Sequence, residues 1–190
     1  GPLAADASTL EAREFRVLHQ GIGEITGAAT LDLAGETLLR TARLRLSGID
    51  LATAVPAYVQ PFLIATAFKE LEAIGRLDGE VDVAGGFPSR AQLTLAGVAL
   101  DSRNGALTMD GLEGSVNWYD DSSRTALAGS VDDAAFQSKV SWRAASLWGI
   151  EFGATELPFA TTGRHFRLLE PKVLPIFDGG LAIGTLRVRH

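Results

Sequence analysis

The chain has 190 residues, no cysteine, a formal charge of −6 and a pI near 5.1. Those figures allow one or two domains with a sizeable core, exclude a disulfide scaffold, a zinc–thiolate site and a cysteine nucleophile, and leave no basic field to attract nucleic acid. Hydrophobic residues make up 46% of the chain and aromatics only 7%, so the apolar surplus is aliphatic and suits strands with one greasy face.

Gly1-Pro2 reads as the remnant of a cleaved tag, and residues 1–9, small and polar, are expected to be disordered. The rest, 10–190, reads as a single β-rich domain excised from a longer protein, with the inner-membrane anchor of that protein expected outside it. From Glu11 to His19, Phe15 and Val17 lie among polar neighbours and predict a first strand. Ala29, Leu31 and Leu33 follow on a second, Ala34-Gly35-Glu36 turns the chain, and Ala42, Leu44 and Leu46 alternate with Arg43 and Arg45 on a third. Gly48 then shifts the phase ahead of Ile49 and Leu51.

Residues 51–68 carry no charge and contain Pro56 and Pro61. Leu63, Ala67, Leu71 and Ile74 fall on one face at helical spacing and Gly75 stands where a C-terminal glycine belongs, so a helical insertion is expected around residues 52–74. A membrane span is disfavoured by the two prolines, Gln60 and two threonines. The insertion is expected to cap one end of the sheet, with Phe62 and Phe68 as its contacts to membrane or sheet.

Alternation resumes at Leu77, Val81 and Val83. Leu93 and Leu95 then give way, across Gly97, to Val98 and Leu100, one position out of phase. Because strand side chains repeat every two residues, such a shift sends the apolar set to the wrong face unless one residue is absorbed, and glycine absorbs it in a bulge. Asn104-Gly105 predicts a tight hairpin, and Leu107, Met109, Gly111 and Leu112 repeat the device. Turns are expected at 119–123 and 132–133, with a short strand from Thr125 to Val131 between them. Val140 and Trp142, then Trp148, Ile150 and Phe152, then Phe166 and Leu168 supply further faces, and Asp178-Gly179-Gly180 turns into Leu181, Ile183, Leu186 and Val188. Ten to twelve strands are predicted.

One pattern, Leu-x-Leu/Met-x-Gly followed by an aliphatic residue, recurs at 44–51, 93–100 and 107–112, with a looser copy at 181–188. Stacked units of this kind generate a long continuous sheet. The expected fold is mainly β, an elongated, curved, bulged antiparallel sheet of open-groove type. Chemistry is sparsely signalled. His19, His165 and His190 have no partner at metal-ligand spacing, Asp120-Asp121 and Asp132-Asp133 read as turn formers, and phosphate-loop, dinucleotide and nucleophile-elbow motifs are missing. No enzyme, metal or cofactor is expected. Trp118, Trp142 and Trp148 read as sandwich core or groove floor.

The series Pro61-Phe62-Leu63, Gly75 to Gly79, Leu93 to Gly105, Met109 to Trp118, Ser141-Trp142-Arg143, Leu168 to Pro171 and Leu174 to Leu181 resembles a periplasmic segment of the AsmA-like intermembrane phospholipid-transport proteins, closest to the YdbH-type branch. The resemblance runs over about residues 40 to 188. It implies a bridge anchored in the inner membrane of a Gram-negative envelope, whose strands form a taco-shaped trough conducting phospholipid acyl chains toward the outer membrane, and it brings no catalytic residues. On that reading the lipid path comprises Leu93, Leu95, Leu107, Met109, Val116, Trp118, Val140, Trp142, Ile150 and Phe152. Two other readings stand beside it: a closed β-sandwich acting as a binding module, and an envelope-assembly or secretion component whose strand edges pair with another protein.

Overall fold

A computed structural model describes residues 3–5, 8–35, 37–120, 137–163, 165–184 and 187–189. The strand expected at Thr125–Val131 and the turn at 132–133 lie outside them. Among the described residues, fifteen strand segments form one open sheet: β1 Leu3–Ala5, β2 Thr9–His19, β3 Gly23–Asp32, β4 Leu39–Asp50, β5 Leu71–Ala84, β6 Phe87–Ser102, β7 Leu107–Tyr119, β8 Gln137–Trp142, β9 Ala144–Leu147, β10 Ile150–Phe152, β11 Thr155–Thr162, β12 His165–Leu168, β13 Lys172–Ile176, β14 Gly179–Ile183 and β15 Arg187–Arg189. The sheet does not close into a barrel.

Its topology is simpler than the segment count suggests. β8 and β9 both pair with β7 in one continuing register, Ser141 opposite Glu113 and Ala144 opposite Asp110. They are two halves of one strand kinked at Arg143. β10 with β11, β12 with β13, and β14 with β15 are halves of kinked strands by the same test, because the second member of each pair continues along the same antiparallel neighbour. Seven whole and four kinked strands therefore run up and down eleven times, each beside its predecessor. One two-residue parallel contact, Trp118 and Tyr119 against Thr161 and Thr162, departs from that order.

The repeated glycine device is present at all three sharp copies. Gly48, Gly97 and Gly111 have φ of 59°, 58° and 65°, the left-handed region that glycine enters without a Cβ penalty. The ladder slips beside them, between Leu46 and Ile49 and between Leu95 and Val98. Inside each bulge a backbone N–H loses its ladder partner, and at Gly48 it donates instead to Asp78 Oδ1 at 2.7 Å. The predicted Asn104-Gly105 hairpin also forms: Gly105 N donates to Ser102 O at 2.7 Å and Asn104 Oδ1 accepts from Ala106 N at 3.0 Å, an Asx turn of the expected kind.

The helical insertion differs in extent from its prediction. It comprises α1 Leu51–Ala54, a π-helical turn Val55–Val59 and α2 Gln60–Leu63. Asp50 starts it, its side chain accepting from Ala52 N at 2.9 Å, while Pro56 and Pro61 occupy first-turn positions where no N–H is needed. Leu71 and Ile74 belong to β5 rather than to a helix, and Gly75, φ 109°, is an irregular strand position. Leu71-x-Ala73-x-Gly75-x-Leu77 also reads with period two, and thirteen cross-strand pairings with β6 decide for the strand. Leu3–Ala5, within the stretch expected to be disordered, instead forms an edge strand paired with Leu10–Ala12. A three-residue edge strand leaves little trace in local composition. β11 was not anticipated, Pro158 being a poor residue for a strand interior, and the last tip turns at Phe177–Asp178, with Gly179 and Gly180 inside β14.

Candidate functional site: one uncovered apolar face

Register determines which side chains line up across the ribbon. One row runs Val17, Ile25, Leu46, Gly79, Leu93, Val116, each opposite the next. A second runs Ile49, Leu77, Leu95, Gly114, Val140, Leu157. A third runs Leu44, Val81, Ala91, Trp118, and a fourth Ala73, Leu100, Met109, Ala145, Phe152, Ile176. All four lie on one face. The bulges at Gly97 and Gly111 keep Leu100 and Met109 on the side of Leu95 and Val116, which strict alternation would have denied them.

The ten residues predicted to line a lipid path therefore share this face. Nine are half-buried and Ile150 is 44% exposed. Sequence reasoning missed Leu46, Leu77 and Leu157, which extend the same rows, because a row across strands becomes visible only once register is known. Trp118 is pinned by a hydrogen bond from its indole Nε1 to Gly163 O at 2.9 Å. Trp142 Nε1 is buried with no hydrogen-bond partner. Trp148 is a correction: it sits in the β9–β10 turn with φ 48° and is 66% exposed, so it belongs to neither core nor groove floor.

The helical insertion covers one end of the face, and Val98, Ala145, Phe159 and Leu168 are buried elsewhere on the sheet. Ala54 of α1 packs on Ile22 and Ile49, with Ile25, Leu46 and Leu77 around them, so the insertion caps the sheet end as expected. Phe62 is 82% exposed, and Phe68 is half-buried in the turn beyond α2. The accessible area of the chain, 11770 Å², exceeds by about a third the roughly 8,700 Å² of a compact protein of this mass. That excess is what a sheet lacking a second layer produces.

Three glycines on this face mark close approaches between neighbouring strands. A Cβ built on Gly27, Gly79 or Gly114 would strike the backbone carbonyl of Arg43, Gln92 or Lys139 on the neighbouring strand. At those points adjacent strands approach more closely than any side chain permits.

The opposite face is polar and charge-paired. Arg43 stands opposite Asp82 at 3.3 Å, Arg45 opposite Glu80 at 2.8 Å, Arg90 reaches Asp82 at 3.2 Å, and Arg16 reaches Glu24 at 2.6 Å. The hydrogen bond from Arg45, with Arg90 and Arg43 nearby, holds the Glu80 carboxyl below its ordinary pKa. Among the described residues no cluster of three metal-ligating side chains occurs and no helix is long and apolar enough to cross a membrane. His19 rests edge-on against Tyr58 with ring centroids 6.5 Å apart.

No family model matches the sequence, and neither a curated protein nor a solved structure matches it.

Proposed function

We propose that this chain is a section of a bridge-like lipid conduit, whose apolar sheet face holds phospholipid acyl chains and passes them along rows of side chains that cross the strands. One observation carries the reading: a long row-by-row aliphatic face on one open sheet, on which Leu93, Leu95, Leu107, Met109, Val116 and Trp118 stay partly exposed among the described residues. Ten consecutive strands from β2 onward, spaced about 4.8 Å apart, make a path of roughly 40 Å. That is longer than one bilayer leaflet, about half of a 30 Å hydrocarbon core. Each methylene taken from water contributes about 0.8 kcal/mol, so about ten in contact contribute some 8 kcal/mol without any specific pocket. Headgroups remain in water at the rim. Such a role needs neither cofactor nor catalysis. It belongs in a periplasm, between an inner-membrane anchor and the outer membrane.

A closed binding module would place the same residues in a dry core, and the area left accessible speaks against it. The test is native mass spectrometry of the purified protein, together with photocrosslinkers at Leu95 and Met109. Bound phospholipid, crosslinked at both positions and lost in Leu95→Asp, is the expected result. Absence of lipid in both measurements overturns the proposal.

A further inference from the structure

Because consecutive strands alternate in direction, the tips of the β2–β3, β4–β5, β6–β7, β9–β10 and β13–β14 connections all fall at the same end of the ribbon. They form one continuous edge. Asp50 N donates to Ile22 O at 2.6 Å, Asn104 Nδ2 to Ala67 O at 2.7 Å, and Trp148 N to Ala106 O at 3.0 Å, linking the first four tips in succession.

This edge exposes its largest apolar side chains. Tyr58 is 54% exposed, Phe62 82% and Ile64 68% from the helical insertion, Trp148 is 66% exposed and Phe177 79% at the last two tips. Trp148 and Phe177 each occupy the first position of a two-residue turn with φ 48°. A bulky aromatic there is a steric outlier where Asn or Gly is the ordinary choice, so two separate hairpins hold strain of about 1–3 kcal/mol each to project an aromatic ring from the same edge.

Charge determines what such an edge fits. Residues 51–68 carry no charge, so the helical tip that bears Tyr58, Phe62 and Ile64 is neutral, and the charged residues at the tips, Lys69 and Arg103 against Asp50, Glu70 and Asp178, leave a net −1, while the whole chain carries −6. An aromatic-tipped edge whose largest tip is uncharged, on an acidic protein, complements the interface of a zwitterionic bilayer, where Trp, Tyr and Phe rings sit at the headgroup level. It does not complement an anionic surface, which repels the chain.

We propose that this edge docks on lipid bilayers by shallow insertion of Phe62, Ile64, Trp148 and Phe177, with the apolar face rising from the membrane behind it. The proposal stands apart from the conduit, since a ribbon with no lipid on its face would still dock.

The experiment is flotation of the full chain with phosphatidylcholine vesicles at low and high salt. Wild type is expected to float equally at both. Phe62→Asp/Ile64→Asp and Trp148→Gly are each expected to reduce the floated fraction at least fivefold. Trp148→Gly relieves the turn strain, so its folding is retained or improved, and lost binding there reflects the missing ring. Leu95→Asp, which removes the proposed lipid path, is expected to float like wild type. Failure of wild type to float, equal flotation of Trp148→Gly, or flotation only with anionic lipid and abolished by salt would each overturn the proposal. So would concentration-dependent dimerisation in sedimentation that the same substitutions remove, since the edge then pairs two copies of the chain.

Discussion

The close approach of strands at the apolar face makes a quantitative prediction about three glycines. Gly79 has ordinary extended backbone, yet a Cβ there would meet Gln92 O on the neighbouring strand. Gly97 is the converse, with φ 58° and nothing within 4 Å of the added Cβ. Gly114 combines both problems, φ 130° and a collision with Lys139 O, with Val140 Cα at 2.9 Å. Alanine at Gly79 must push backbone rather than a flexible side chain, an overpacking cost of about 1–3 kcal/mol. At Gly97 the cost is the left-handed backbone alone, about 1–2 kcal/mol. At Gly114 the two add, giving about 2–5 kcal/mol, a large share of the 5–15 kcal/mol typical of a folded domain. Urea unfolding of the three alanine variants measures this directly, with an unchanged m-value marking a change in stability rather than in compactness. Should Gly114→Ala cost no more than Gly97→Ala, the strands do not approach as closely as described.

Other consequences follow from the same geometry. A hydrophobic dye should fluoresce on the native protein in the absence of denaturant, because Leu93, Leu95 and Val116 are only half-buried; a native state as dark as a compact globular control contradicts the uncovered face. Asn104→Ala removes the acceptor for Ala106 N and the donor to Ala67 O, and the expected loss is about 1–2 kcal/mol, read from the urea midpoint. Arg45→Gln addresses the outer-face pair. The folded Glu80 carboxyl is lowered chiefly by its hydrogen bond from Arg45, so the contribution is present above the ordinary Glu pKa and disappears as pH falls through the folded value. Solvent screening limits it to under about 1 kcal/mol. A stability difference from wild type that grows toward acid pH contradicts that assignment.

Period two, turn chemistry and the glycine bulges were legible from residues alone, since each depends on a few neighbours along the chain. Gly48, Gly97 and Gly111 announce their bulges by a change of phase that no straight strand tolerates, and Asn104-Gly105 announces its hairpin by tolerance of positive φ. Residues 71–74 satisfied helix and strand spacing equally, and only the ladder to β6 chose between them. Trp148 continued an apolar alternation on paper but lies in a turn, because the Leu147–Ile150 pairing requires exactly two residues between the strands. That Leu77, Leu95 and Val140 share a row follows from register, a relation between distant segments that the sequence does not spell out. Whether the face made by those rows is buried is the least local question of all. Alternating Leu and Val serve a closed sandwich and an open ribbon equally well, and what separates the two is a second layer; among the described residues the helical insertion covers Ile22 and Ile49, while Leu93, Leu95 and Val116 stay partly exposed.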